Sequence, residues 1–431
     1  MEEMDERFTR TTAVSAFVPS TLLPWALPHS TPRVDRCTGA WRSRRSMKRS
    51  LSRPLVAVTE VTPRCRTDAP MEPSAGREGF RGRTGLLLVN IGTPSSTSVP
   101  DVREYLRQFL GDDRVVDLQP RWVKRVLLRV LLATRPAKSA EAYANIWDAE
   151  RGSPLLFYSE DLAAKLQTRL GARYQVAVGM QFGEPNLRTA MQHFRRQGVD
   201  RVVLAPMFPQ YASSTTGSAV EMVYRAAAEC YVTPYVHTVP AFYDHPAYIE
   251  TYARQIERHI GARGARTVEH LLISFHGVPE SHCERTDDTG LMCMRREDCC
   301  AQLRHANRNC YRAQCFVTAR LLAQQLQLDP AEYTVSFQSR LTAAGPEWIK
   351  PYTDVIIEAL ARERGIRRLA VVVPSFVADC LETLEEIGIE GRNSFLEAGG
   401  ETYTLVPCVN ASDEWAEAFV RILRDACWME P

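Results

Sequence analysis

From residue 84 onward, short apolar segments alternate with longer stretches in which apolar residues recur at helical spacing. Short apolar runs are typical of buried parallel strands, and the longer stretches are typical of the helices that connect such strands. The predicted strands of a first half lie at 86–91, 176–180 and 201–208. Those of a second half lie at 270–275, 333–337, 369–373 and 402–406. The pattern predicts an α/β fold of two Rossmann-like domains, each a parallel sheet flanked by helices, with the active-site cleft between them.

Helical patterns connect these strands, at 99–110, 160–170, 186–198, 218–229, 246–259, 310–327 and 351–365. We expect the first domain at 84–242, the second at 243–410, and a final helical segment at 411–431 that packs across the domains. Residues 1–83 are rich in Arg, Ser, Pro and Thr and show no sustained periodicity. Such composition predicts a disordered N-terminal extension.

Length and composition narrow the class of protein. The chain has 431 residues, of which 45% are hydrophobic, so it can build two well-filled cores. With 53 basic and 51 acidic residues it has no overall charge excess for binding nucleic acid. We find no apolar run long enough to span a bilayer, and we expect a cytoplasmic protein.

Candidate chemistry lies after the predicted strands, because ligands of open α/β sheets bind at the carboxyl ends of the strands. His276 ends one strand and is followed by Gly and Pro, so its imidazole is expected to point into the cleft, although an isolated His is more often structural. Glu382 and Glu386 lie four residues apart on one helical face. The alternative for Glu382 is a capping box with Asp379. A His and two carboxylates suit proton removal and the handling of a divalent cation.

The segment 209–218 follows another predicted strand and is rich in Ser, Thr and Gly. It has no P-loop ending, so hydroxyl groups that cap a helix are the simpler interpretation than a phosphate site. Its residues Tyr211, Ser214 and Thr215 are candidates for contacting a ligand in the cleft.

Four strings taken together resemble the ferrochelatase family, the class II tetrapyrrole chelatases, in the order and spacing of its motifs. They are Phe-His-Gly-Val-Pro at 275–279, Phe-Pro-Gln-Tyr-Ala-Ser-Ser-Thr-Thr-Gly-Ser at 208–218, Phe-Gln-Ser-Arg at 337–340 and Asp-Cys-Leu-Glu-Thr-Leu-Glu-Glu-Ile at 379–387. The resemblance runs from about residue 85 to the C-terminus. It is to bacterial members of the family, with an added cysteine-rich insert.

The resemblance implies an enzyme that holds a porphyrin in the interdomain cleft and binds no nucleotide. It implies insertion of Fe²⁺ into protoporphyrin IX to form protohaem, the terminal step of haem biosynthesis. By this similarity His276 and Glu382 are catalytic, and both handle the metal together with Glu386. Two positions depart from the family pattern: Cys380 stands where many relatives have His, and Gln181 stands where relatives usually have Arg.

Residues 122–135 interleave apolar side chains with four cations. A basic amphipathic segment of this kind fits a peripheral membrane contact, and a half-buried surface helix fits equally well. In the family this region forms the lip over the porphyrin. Arg135 and Lys138 are candidates for binding its propionates.

A cysteine-rich insert, 283–315, lies between the His276 loop and the following helix. Cys293, Cys299, Cys300 and Cys310 supply thiolates for either a [2Fe–2S] cluster or a tetrahedral Zn²⁺. Some microbial ferrochelatases carry a [2Fe–2S] cluster on such an insert, so the resemblance implies the cluster, with zinc or reduced thiols as alternatives. Cys283 and Cys315 are further candidate ligands.

Other functions fit the same sequence. One is a chelatase for a different tetrapyrrole, with coproporphyrin III as the iron acceptor or with Co²⁺ or Ni²⁺ as the metal. Another is a haem-binding redox regulator on the same fold. The sequence leaves the oligomeric state open.

Overall fold

The computed structural model describes residues 83–117, 120–340 and 346–427, without the side chain of residue 427. All of these belong to one compact unit of the chain, 74–431. The predicted N-terminal extension lies outside the described residues, apart from Arg83.

Two parallel four-stranded sheets form the framework. The first has the order β2-β1-β3-β4 and consists of β1 Arg83–Gly92, β2 Tyr174–Phe182, β3 Val199–Pro206 and β4 Tyr235–Thr238. The second has the order β6-β5-β7-β8 and consists of β5 His270–His276, β6 Tyr333–Gln338, β7 Arg368–Val372 and β8 Thr402–Leu405. The two orders are the same when each sheet is numbered from its own first strand. The predicted fold class is confirmed.

Helices cover both faces of the sheets. They are α1 Val99–Gly111, α2 Arg121–Ile146, α3 Pro154–Leu170, α4 Leu187–Arg196, α5 Ser218–Ala228, α6 Pro246–Ile260, α7 Glu280–Glu284, α8 Tyr311–Gln325, α9 Thr353–Arg362, α10 Arg392–Glu397 and α11 Asp413–Cys427. Two segments are π-helical, Ser213–Gly217 and Glu382–Gly391. A π-helix widens the turn and is frequent at functional sites. Both segments follow a strand at its carboxyl end.

Burial on both faces explains why the central strands read as continuous apolar runs. In β1 the side chains of Leu86, Leu87, Leu88 and Val89 are all buried. One hydrophobic core joins the two sheets, since it contains Leu86 of β1, Phe275 of β5 and Trp415 of α11. Helix α11 packs against α3 and α6, which places the end of the chain beside both halves.

The structure adds elements that the sequence pattern did not predict. Strand β4 is short and half-exposed, so it carries little hydrophobic signal. Helix α2 extends through Pro136, a residue that normally ends a helix, and α7 is only five residues long. Helix α3 begins at Pro154 rather than at residue 160. Within the described residues, no helix is both long and apolar enough to cross a membrane.

Candidate active site

A cleft lies at the carboxyl ends of both sheets. Its lining includes residues that follow four strands, namely Asn90 and Ile91 at β1, Met207, Phe208, Gln210, Ala212, Ser214 and Thr215 after β3, His276, Gly277, Val278 and Pro279 at β5, and Ser375, Phe376, Val377, Ala378, Cys380 and Glu382 after β7. This is the position expected for a ligand site in sheets of this topology.

His276 is the last residue of β5, and it lines the cleft. Its Nδ1 atom lies 2.6 Å from the carbonyl oxygen of Gly277. A carbonyl can only accept, so in neutral His276 the proton is on Nδ1 and the lone pair is on Nε2. The main-chain N–H of His276 donates to Ser375 Oγ at 3.1 Å, and Tyr311 Oη donates to its carbonyl at 2.8 Å. The histidine is therefore fixed on three sides and keeps one ring nitrogen able to accept a proton.

Glu382 begins the second π-helix and lines the same cleft as His276. Gln338 of β6 donates to its main-chain carbonyl at 2.9 Å, which ties the helix to the second sheet. The Asp379 carboxylate accepts from Thr383 Oγ1 at 3.0 Å and from Asn410 Nδ2 at 2.7 Å. These bonds occupy Asp379, and Thr383 rather than Glu382 accepts from the N–H of Cys380. The start of this helix has no side-chain cap hydrogen bond.

Glu386 lies one turn beyond Glu382, and the two carboxylates interact. The N–H of Ser339 donates to Glu386 at 2.7 Å, and the Ser339 hydroxyl also bonds to this carboxylate. Burial raises the pKa of Glu386 to about 7, with the Ser339 bonds opposing the rise and the charge of Glu382 adding to it. Glu386 thus exchanges protons near neutral pH.

The predicted ligand contacts divide between the cleft and other surfaces. Ser214 and Thr215 line the cleft on the first π-helical turn. Tyr211 lines a neighbouring cavity together with Arg114 and Glu221. Arg135 is exposed on α2 and is not among the described residues that line the central cleft.

Aromatic and apolar walls of the cleft were not found from the sequence. They come from Tyr105, Phe109 and Val115 in and after α1, from Leu155 of α3 and from Trp348. The spacing of Tyr105 and Phe109 is also that of an ordinary helix core face, so it could not mark them as cleft residues. Burial raises the pKa of the Tyr105 hydroxyl, and the charge of Glu382 raises it further.

The two departures from the family pattern occupy different places. Cys380 lines the cleft beside Glu382, and burial raises the pKa of its thiol well above the usual range. Gln181 is buried in β2, and neither its Nε2 nor its Oε1 has a hydrogen-bond partner among the described residues. A buried amide in this state is costly unless water or a ligand contacts it.

The insert consists of turns between α7 and α8, and two buried polar side chains organise it. The Asp287 carboxylate accepts from the N–H groups of Met292 at 2.8 Å and Cys293 at 3.0 Å. Asn307 Nδ2 donates to the carbonyl of Cys299 at 2.7 Å. Between α7 and α8 the insert is an ordered loop without helices or strands.

The four predicted cysteine ligands are buried and free of disulfides. The sulfur atoms of Cys299 and Cys300 lie 3.6 Å apart, and the Cys310 thiol contacts those of Cys293 and Cys300. Burial raises the pKa of Cys293 to about 11. The Cys310 thiol also contacts that of Cys283, a further candidate ligand. Within the described residues no three His, Cys, Asp or Glu side chains surround a single metal position.

The segment 122–135 is part of α2, and its apolar stripe faces solvent. Trp122, Val126 and Val130 are 64%, 52% and 55% exposed, at helical spacing. Arg125 and Arg129 are exposed beside them. Lys124, by contrast, is buried and donates to Asp113 at 2.7 Å, so one of the four predicted cations is not on the surface.

Comparison with known proteins shows the family to which the chain belongs. Residues 83–427 match the ferrochelatase family. The chain is 43% identical over 344 residues to a ferrochelatase of Bdellovibrio bacteriovorus, a match that covers 80% of this chain and 99% of that protein. It is 43% identical over 345 residues to a ferrochelatase of Pseudomonas fluorescens, with 79% of this chain and 97% of that protein covered. The chain therefore belongs to the ferrochelatase family.

Proposed function

We propose that the protein inserts Fe²⁺ into protoporphyrin IX and releases two protons, forming protohaem in the last step of haem biosynthesis. The observation that carries this is the presence of His276 and Glu382 in one cleft with largely apolar walls. A porphyrin is a large apolar disc, and its metallation needs a proton acceptor beside it. A regulator that only bound haem would not need both groups.

His276 is the proposed proton acceptor. Its Nδ1 is engaged with the Gly277 carbonyl, so Nε2 carries the lone pair that can take a pyrrole proton. A histidine that is held in place with one ring nitrogen free to accept is the side chain used most often as a general base. The bonds from Ser375 and Tyr311 to the His276 main chain hold the ring in place between turnovers.

Glu382 and Glu386 are proposed to form a short acidic track. Oxygen ligands bind a divalent cation weakly enough to pass it on, and Glu386, with its pKa raised to about 7, can also accept protons. His276, Glu382 and Glu386 are the proposed metal-handling residues. Fe²⁺ is the substrate.

The charge of the cleft favours protoporphyrin IX over coproporphyrin III. Among the described residues that line the cleft there is no Lys or Arg. The arginines that line the adjoining cavity are paired: Arg114 with Glu221 at 2.6 Å, and Arg285 with Asp117. Coproporphyrin carries two more carboxylates than protoporphyrin, and burying each without a cation is costly.

An anaerobic assay with Fe²⁺ and each porphyrin, followed by absorbance, tests this choice. We expect kcat/KM at least about tenfold higher for protoporphyrin IX, the ratio that one poorly paired carboxylate produces. A preference for coproporphyrin III would favour the alternative substrate on the same site.

We further propose that Cys293, Cys299, Cys300 and Cys310 hold a [2Fe–2S] cluster. Their thiols are buried in an ordered loop, where Cys310 contacts Cys293 and Cys300, and Cys300 adjoins Cys299. The 3.6 Å between the sulfur atoms of Cys299 and Cys300 is near the spacing of roughly 3.8 Å expected for two thiolates on one tetrahedral metal with bonds of about 2.3 Å. Zinc is the alternative, and metal analysis separates the two.

A cytoplasmic location with a peripheral membrane contact through residues 122–135 is the last part of the proposal. The exposed stripe of Trp122, Val126 and Val130 supports it, since soluble proteins rarely place such residues side by side in water. Exposed Arg125 and Arg129 would face anionic headgroups.

A further inference from the structure

One face of α8 carries polar side chains although it is buried. Tyr311, Gln314 and Thr318 lie at helical spacing and are 7%, 3% and 0% exposed. Polar groups on a buried helix face must find partners, because an unpaired group there is costly. Their partners show what this face does.

Tyr311 reaches the loop after β5. Its hydroxyl donates to the carbonyl of His276 at 2.8 Å, and its ring lines the cleft. Tyr311 therefore bonds directly to His276, the proposed proton acceptor.

Gln314 and Thr318 reach the loop after β3, which belongs to the other sheet. The Gln314 Oε1 atom accepts from the N–H of Tyr211 at 2.7 Å. Thr318 Oγ1 accepts from Gln210 Nε2 at 3.0 Å. This loop supplies Gln210, Ser214 and Thr215 to the wall of the cleft. A single helix thus binds the cleft loops of both sheets.

The cysteine insert fixes where this helix begins. Cys310 is the residue before its first turn, and its carbonyl accepts from the N–H of Gln314 at 3.1 Å. Gln314 Nε2 also donates to the carbonyl of Arg308, within the insert, at 2.9 Å. Any shift of the insert at Cys310 therefore moves Tyr311 and Gln314 directly.

We propose that Tyr311 and Gln314 are positioning residues that set the distance between the His276 loop and the 209–215 loop, and that they link the cysteine insert to the cleft. This inference rests on the proposed function. It assigns neither residue a chemical step. The predicted consequence is that damage to the insert lowers turnover through the Tyr311–His276 bond.

The test begins with Tyr311→Phe, which keeps the ring and removes the hydroxyl. We expect kcat to fall about tenfold to a hundredfold, the range that a misplaced catalytic group produces, while KM for the porphyrin stays within about threefold. The metal content of the insert is expected to remain that of the wild type. Tyr333→Phe, at the opposite end of the second sheet, is the matched control and should leave kcat unchanged.

The link to the insert is measured by a double-mutant cycle with Cys293→Ser. Removing Cys293 should lower kcat in the wild-type background and should lower it much less when Tyr311 is already Phe. Both changes act through the Tyr311–His276 bond, which can be lost only once. Fully additive effects on kcat would overturn the link. Should Tyr311→Phe prove too unstable to assay, Gln314→Met is measured instead, and its expected effect is a raised porphyrin KM with a smaller change in kcat.

Failure of the positioning role and failure of the proposed function give different results. Normal kcat in Tyr311→Phe beside an active wild type would overturn the positioning role and leave the proposed function standing. A folded wild type that metallates no porphyrin would overturn the proposed function.

Discussion

Ser339 donates to the Glu386 carboxylate from its main-chain N–H, at 2.7 Å, and its hydroxyl bonds to the same group. Ser339 makes these bonds from a left-handed backbone conformation, with φ at 64°. Few non-glycine residues adopt that conformation, so the local structure is held by its surroundings. The contact ties the Gln-Ser-Arg string of the sequence to the second π-helix.

The raised pKa of Glu386 predicts a specific pH dependence of stability. In the unfolded chain this carboxyl titrates at its ordinary value of 4.5, and in the folded protein at about 7. The folded state therefore holds the proton more tightly in this window, so the free energy of unfolding falls as pH rises from 4.5 to about 7. Glu386→Gln cannot ionise and removes this loss, which is at most about 3 kcal/mol.

Urea unfolding of both proteins at about pH 5 and about pH 8 measures this difference. The free energy of unfolding of Glu386→Gln should rise relative to that of the wild type at the higher pH. Glu397→Gln, on the exposed surface of α10, is the control and should follow the wild type. Parallel pH curves for Glu386→Gln and wild type would contradict the assignment.

Glu382→Gln separates a catalytic role from a helix-capping role. We expect kcat to fall at least about a hundredfold, since it loses a group that handles protons and metal. Thermal stability should change little, because the start of this helix has no side-chain cap hydrogen bond to lose. The capping alternative predicts the reverse, a loss of about 1 kcal/mol of stability with turnover preserved.

The cysteine insert predicts a coloured protein. Purified without oxygen, it should be reddish-brown and hold about two irons and about two acid-labile sulfides per chain. Changing any of Cys293, Cys299, Cys300 or Cys310 to Ser should remove both, because Ser is a much weaker ligand for iron. Cys230→Ser, in the first half, is the control.

Two results would count against this ligand set. A colourless protein with one zinc per chain would decide for the structural zinc site. Loss of colour in Cys283→Ser or Cys315→Ser, but not in Cys293→Ser, would show that one of the four ligands is wrongly assigned.

The exposed stripe on α2 predicts binding to anionic lipid vesicles. Replacing Trp122, Val126 and Val130 together by Ser should lower the partition coefficient at least about tenfold, because each side chain would bury apolar surface in the bilayer. Val355→Ser is the control, since Val355 is 53% exposed on α9. Equal sedimentation of the triple variant and the wild type with vesicles would leave α2 as an ordinary surface helix.

The sheets were predictable because their strands are buried on both faces. The predicted strand at 270–275 corresponds to β5, and its apolar run reports burial directly. Strand β4 gave no such signal, since alternate residues face solvent. Helix α2 was only partly recognised because Pro136 suggests a helix end, whereas here it is buried within the helix.

Among the cleft residues, too, some can be predicted from the sequence and others cannot. His276 and Glu382 follow strands and could be located from the sequence, because the carboxyl ends of parallel strands meet. The contacts that hold them could not be predicted. Tyr311 reaches His276 across 35 positions, and Gln314 reaches Tyr211 across 103. The first pair forms when the second half folds, and the second pair forms only when the two halves pack together, so no local sequence pattern indicates either.

The central claim is that this cleft metallates a porphyrin with His276 as proton acceptor. The most direct measurement is an anaerobic assay of wild type and His276→Ala with Fe²⁺ and protoporphyrin IX, with porphyrin affinity measured in parallel by fluorescence. His259→Ala, exposed on α6, is the control. We expect the wild type and the control to form protohaem, and His276→Ala to lose at least about a hundredfold in kcat with porphyrin affinity retained. Near-normal turnover by His276→Ala would contradict the account.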